Sequence, residues 1–208
     1  MARVSAAYGL RVLRRLDTPW RIQEYLNRFP YDHEEWCSSP VNVVKERRAH
    51  CLEGALFAAA CLGFSGREPL IVDLRAWKDD DHVIAVYKDD GLWGAVSKSS
   101  LITLEYREPV YRSIRELVMS YFDFYLNDPG HVSLREYSRP LNLRMFDSRG
   151  WVTSDDDLSF IGEYVDNTRH YHLLKRKNAP KLHKVDGTLL KASLLAQKRR
   201  ANACRGIG

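Results

Sequence analysis

The chain reads as an α+β protein, and three observations say so. Apolar residues recur at helical spacing up to about residue 62. The period then switches to two in three short runs between residues 69 and 97. Helical spacing returns after Pro109. Runs of helix, strand and helix without regular βα alternation predict a buried helix packed on a small antiparallel sheet, with extra C-terminal helices.

The elements follow in order. Asp17-Thr18-Pro19-Trp20 is a helix start, with a capping residue and then an early proline. Trp20, Ile22, Tyr25, Leu26 and Phe29 continue it at helical spacing until Pro30. Residues 31–47 read as a polar connector. A helix from about Cys51 to Leu62 is rich in small residues (Gly54, Ala55, Ala58, Ala59, Ala60), which suit close approach to a sheet, and Gly63 and Gly66 end it. Residues 69–74, 82–87 and 92–97 read as strands, the last two joined by Asp89-Asp90-Gly91, a hairpin turn signal. With Asp90 and Gly91 as the loop, His82 falls opposite Ser99, with Ser97 diagonal to it on the same face. A helix is expected over roughly 111–125, irregular chain over 127–150, and another helix within 155–174.

Composition bounds the class. At 208 residues and 45% hydrophobic content the chain can bury one substantial core. No apolar run nears the 18 residues or so that a membrane span needs. Met1 to Leu16 carries Arg3, Arg11, Arg14 and Arg15 without an apolar stretch, and reads as a basic arm rather than a secretory signal. Four cysteines (Cys37, Cys51, Cys61, Cys204) without C-x-x-C spacing argue for a reducing, cytoplasmic setting. Residues 175–208 carry a formal charge of +9, leaving about −4 for residues 1–174. The expected division is therefore a single α+β domain over 1–174, with its core at about 18–125, and a basic C-terminal tail. Such a tail reads first as a solvated extension and second as a contact for nucleic acid or an acidic partner.

The chemistry lies with Cys51. A thiol opening a helix faces unsatisfied backbone N–H groups and the positive end of the helix dipole, both of which favour thiolate. A histidine beside it completes a nucleophile–base pair, and His82, heading the second strand, is the candidate. The oxyanion of such a site would meet the Cys51 N–H and one upstream donor, for which Trp36 and Asn42 are placed by position.

Residues 18–105 resemble the transglutaminase-like branch of the papain-like cysteine enzymes. The resemblance rests on Cys51 opening Cys-Leu-Glu-Gly-Ala-Leu-Phe-Ala-Ala-Ala, the glycine-bounded helix end, Asp81-His82-Val83, and Trp93 in the next strand. Trp93-Gly94-Ala95-Val96-Ser97-Lys98-Ser99 and Tyr106-Arg107-Glu108-Pro109-Val110-Tyr111-Arg112 are similar to stretches in a bacterial group with this core. The resemblance implies Cys51 as nucleophile, His82 as base and a peptide or small amide or ester substrate, with no organic cofactor and no membrane. The sequence itself suggests no metal. The family places an aspartate some fifteen residues after the histidine, and Ser97 stands in that slot. Ser97, or Ser99, is then the orienting residue; Asp73, Asp81, Asp89, Asp90 and Glu105 are the carboxylates that could replace it, Asp73 being assigned to the opposite sheet face. Loss of the acid equally suits a chain that keeps the core as a non-catalytic binding or scaffold protein.

Other signals have plainer readings. Asp79-Asp80-Asp81 is a solvated loop, His170 and His172 are surface residues near a helix end, and Tyr121, Phe122, Phe124 and Tyr125 are packing residues at helical spacing. A zinc set of His33, Cys37, His50 and Cys51 matches no familiar spacing.

Overall fold

The computed structural model describes residues 5–193 and residue 195 of the chain. Its centre is α4 (Cys51–Phe64), the fourth helix along the chain after α1 (Ala6–Arg15), α2 (Pro19–Asn27) and α3 (Pro40–Glu46). Every residue of α4 from Leu52 to Leu62 is buried, as expected of a helix that is apolar all round. It lies on an antiparallel sheet of β1 (Leu70–Ala76), β2 (His82–Asp89), β3 (Leu92–Val96), β4 (Arg107–Tyr111), β5 (Leu134–Ser138), β6 (Leu141–Asn142) and β7 (His170–His172). The order is β4-β3-β2-β1-β5-β7, with β6 also pairing β1.

Strand alternation divides two cores. Ile71, Val83, Ala85, Tyr87 and Val96 pack with α4. Val72, Leu74, Ile84, Val86 and Ala95 pack on the other side, against α5 (Ile114–Met119) and the aromatic residues Tyr121 and Tyr125 that follow it. The hairpin register is the one the turn predicts, from Asp89 opposite Leu92 to Ala85 opposite Val96, with Asp90 (φ 48°) and Gly91 (φ 84°) forming the loop. The ladder stops at Ala85–Val96, so His82 and Ser99 do not pair. At Ser97 the Gln23 side chain of α2 takes over from a strand: its amide donates to the Ser97 carbonyl (2.9 Å) and its oxygen accepts from the Ser97 N–H (3.1 Å).

Several expectations are corrected. The N-terminal arm is helical from Ala6, capped by Ser5, with Leu13 buried and Gly9 pressed on Val41. The polar connector contains α3, whose Ser39-Pro40 start has the form of a cap followed by proline. The 111–125 helix is only α5, because Arg107–Tyr111 extends the sheet and Ser120 turns its hydroxyl back on the Leu117 carbonyl. The irregular stretch 127–150 supplies β5 and β6. A helix lies within 155–174 as expected, but only as α6 (Ser159–Asp166); Asn167 then donates to the Glu163 carbonyl, the chain leaves to pair with β5 as β7, and a further helical stretch follows over residues 187–193. Part of the basic tail packs on the body, where Val185 N–H donates to the Gly130 carbonyl (3.0 Å) and Lys184 bridges His131. The rest of that tail, residue 194 and residues 196–208, lies outside the described residues. Among the described residues no helix is long and apolar enough to cross a membrane.

The approach of α4 to the sheet is closest at Gly54. A Cβ there would sit 2.3 Å from Lys98 Cβ and 3.3 Å from Lys98 N, atoms fixed to the backbone that cannot swing away. Gly54→Ala is therefore expected to lower stability by about 1–3 kcal/mol, even though alanine is the better helix former by about 1 kcal/mol. A thermal melt of the variant checks this, and an unchanged or raised midpoint would refute it.

Candidate active site

Cys51 is the first residue of α4, and the helix start is tightly built. His50 caps it, with Nδ1 accepting from Leu52 N–H (3.2 Å), while Glu53 accepts from the His50 N–H (2.9 Å). Glu53 also accepts from Ser38 N–H at 2.7 Å, which ties the preceding loop to the helix. Burial pushes the Glu53 carboxyl up, opposed by His50 and these N–H donors. Such a cap fixes the direction in which the Cys51 side chain leaves the helix.

That side chain reaches the start of β2. Its thiol points at the Asp81 carbonyl, Sγ to O 4.0 Å, and lies near the Val83 N–H, so it straddles the backbone of His82. The site exists because β2 and β3 pair only from Ala85 onward, leaving the β3 side of the strand free at this point. Tyr31, which sequence reasoning missed, brings its hydroxyl beside the sulfur and the Cys51 N–H. No local motif marks it; the Tyr31–Ala49 bridge, immediately before the helix, brings it there. Burial pushes the Cys51 thiol up, and the Val83, Tyr31 and Leu52 donors only partly offset that. The expectation of a helix-favoured thiolate is thus reversed at rest, because desolvation outweighs the donors.

His82 leaves the strand on the other face. Alternation sets it with Ile84 and Val86, away from α4, where it is 5% exposed. Its Nε2 meets the Leu104 carbonyl at 3.3 Å. A carbonyl only accepts, so Nε2 carries the proton and Nδ1 is the basic nitrogen. Burial lowers the imidazole to about 4, with the Leu104 carbonyl opposing, and the ring is neutral near pH 7. Among the described residues no hydrogen bond joins the ring to Cys51 Sγ: the two residues meet through the backbone of β2.

Ser97 does not accept from His82. Its Oγ donates to the same Leu104 carbonyl, at 2.8 Å. Imidazole and hydroxyl therefore converge on one backbone oxygen, in the place where a carboxylate was expected. Ser99 instead accepts from Leu101 N–H (3.0 Å). Neither proposed upstream donor is at the sulfur: Asn42 is spent on the Ser154 carbonyl and Asp155, and Trp36 is exposed.

His170 corrects a further reading, while Asp73 is on the sheet face opposite His82, as expected. Asp73 is on the α4 face, opposite Val83 in the β1–β2 register, and is 3% exposed. The His170 side chain is 4% exposed and places Nε2 at 3.0 Å from Asp73 Oδ2 and Nδ1 at 2.8 Å from the Thr168 carbonyl. Both ring nitrogens face acceptors, so one proton is shared between His170 and Asp73. Burial pushes Asp73 up to about 6, against the His170 hydrogen bond. Helical periodicity could not find this pair, because His170 is on β7. Among the described residues Asp73, Asp81 and Asp166 are the group able to surround a cation, but Arg75 lies among them, 2.7 Å from Asp166 and 4.0 Å from Asp73.

No protein-family model and no curated protein matches the chain. Among solved structures, Legionella pneumophila LapG is similar at a TM-score of 0.34 and 12% identity, over 44% of this chain and 60% of that one. The chain thus spans less than two thirds of LapG.

Proposed function

We propose that the chain is a thiol-dependent hydrolase or acyl transferase acting on a peptide, amide or ester carbonyl, on a transglutaminase-like, papain-type core. One observation carries the reading: Cys51 Sγ lies against the peptides on either side of His82, whose Nε2–H is committed to Leu104 and whose Nδ1 is left basic. In this reading the His82 side chain turns from the far face of the sheet toward the sulfur when substrate binds, and Cys51 attacks the carbonyl carbon as its proton passes to Nδ1. The oxyanion forms near the Cys51 N–H and the Tyr31 hydroxyl, and its collapse expels the alcohol or amine with the proton from His82. Water or an amine then releases the acyl group. Ser97 is a positioning residue, acting through the Leu104 carbonyl. The free thiols of Cys37, Cys51 and Cys61 support a cytoplasmic setting.

The resting thiol and imidazole are both neutral, which favours general-base attack over a pre-formed ion pair and also supports the rival reading of a non-catalytic binding protein. Acetylation by p-nitrophenyl acetate, with the acetyl group located by peptide mass spectrometry, separates the two. The enzyme reading expects Cys51 to be acetylated selectively, with a rate that rises through about pH 4, where His82 loses its proton, rather than through the ordinary histidine range. His82→Ala should slow it about 10²–10⁴-fold, and Tyr31→Phe about 10²–10³-fold if it is an oxyanion donor. A rate indifferent to His82→Ala would leave Cys51 a structural thiol and the binding reading in place.

A further inference from the structure

Away from Cys51, Trp77 and Arg135 line two adjoining cavities. One, of about 350 Å³, is walled by Val132, Pro180 and Leu182. The other, of about 500 Å³, is bounded by Leu174, Arg176, Glu136 and His172. Both volumes lie in the range of small-molecule sites. The backbone at Trp77 is held by its main-chain N–H to the Ser133 carbonyl (2.8 Å), and the indole carries the Arg135 guanidinium at 5.5 Å from the ring centroid.

Arg135 is the unusual element. It is half-buried, and its hydrogen bonds run from one nitrogen to the Val132 (2.8 Å) and Leu134 (2.9 Å) carbonyls. Among the described residues no carboxylate pairs with it. Neighbouring Glu136 is engaged by His172 (2.8 Å) and Arg75 (3.6 Å). Burial lowers the Arg135 pKa, the direction expected of a desolvated cation without a counter-ion. A planar guanidinium with unused donors, at the mouth of an apolar cavity, suits a ligand with a carboxylate at one end and an apolar body.

We propose that the Trp77–Arg135 cavity binds a small organic carboxylate, its charged end on Arg135 and its apolar body against Val132, Pro180 and Leu182. This is independent of the thiol reading, because the test measures binding alone. Sodium octanoate is titrated calorimetrically into the full chain, with 1-octanol and sodium acetate as partial ligands. The expected result is saturable octanoate binding at millimolar concentration or below. It should weaken at least tenfold in Arg135→Met, whereas octanol binds the two proteins alike and acetate binds far more weakly than octanoate. Should Arg135→Met fail to fold, Ala179→Phe fills the cavity instead and should abolish octanoate binding. Absence of saturable binding to the wild type, equal octanoate affinity in Arg135→Met, or undiminished binding in Ala179→Phe would each overturn the proposal.

Discussion

Lys98→Met is expected to destabilise the protein by about 2–5 kcal/mol, because it strips two buried carbonyls of their donor. Lys98 is wholly buried, and its ammonium donates to the carbonyls of Leu26 and Phe29, where α2 ends. A cation there also faces the negative end of the α2 dipole. Its stem passes over Gly54, so one side chain joins α2, the end of β3 and the first turns of α4. Methionine keeps most of the volume and removes the charge, which makes the loss a measure of the polar interactions rather than of a cavity. The urea midpoint should fall with little change in slope; a midpoint equal to wild type would mean that the ammonium contributes nothing net.

The second large effect concerns pH. The His82 folded value of about 4 is below the ordinary 6.5, so the unfolded chain binds the extra proton between them and stability is lost as pH falls through that window. The full loss is about 3 kcal/mol. Asp73 works the other way. Its folded value of about 6 is above 3.8, so the folded chain holds the extra proton and stability is gained as pH falls between them, again by about 3 kcal/mol. The two slopes oppose each other over nearly the same range, and the wild type should be almost flat from about pH 6 to pH 4 on their account. Variants separate them. His82→Gln should grow more stable as pH falls across the window, and Asp73→Asn less stable. Urea midpoints at pH 4, 5 and 6 check the signs; parallel profiles in all three proteins would show that neither group titrates as its burial implies.

Legibility followed the range of the interactions. The Thr18 cap, the extent of the Cys51 helix, the Asp90-Gly91 turn and the strand periods are local, and each is found within a residue or two of its expected place. The site was legible as far as Cys51 and the strand that heads with His82. The role of Ser97 was not, because it depends on where the Leu104 carbonyl falls after β3 ends. Tyr31 and His170 were missed or misplaced for the same reason: each reaches its partner through pairing between distant segments. The 155–174 stretch shows the limit most clearly. Helical spacing was present, but edge pairing with β5 took His170–His172 out of it.

The sheet order has a consequence for synthesis. β1 lies inside the sheet, with β2 on one side and β5 and β6 on the other, so its second edge is completed only by residues 134–142, and that of β5 only by residues 170–172. A chain emerging from the ribosome therefore carries the Cys51 helix and the β1–β3 meander well before the outer strands arrive, with an apolar edge open in the interval. The buried Asp73 is born without its histidine. Ordering of that half of the molecule is thus a late event, set by the slow closing of long loops rather than by the rapid local steps of its first half.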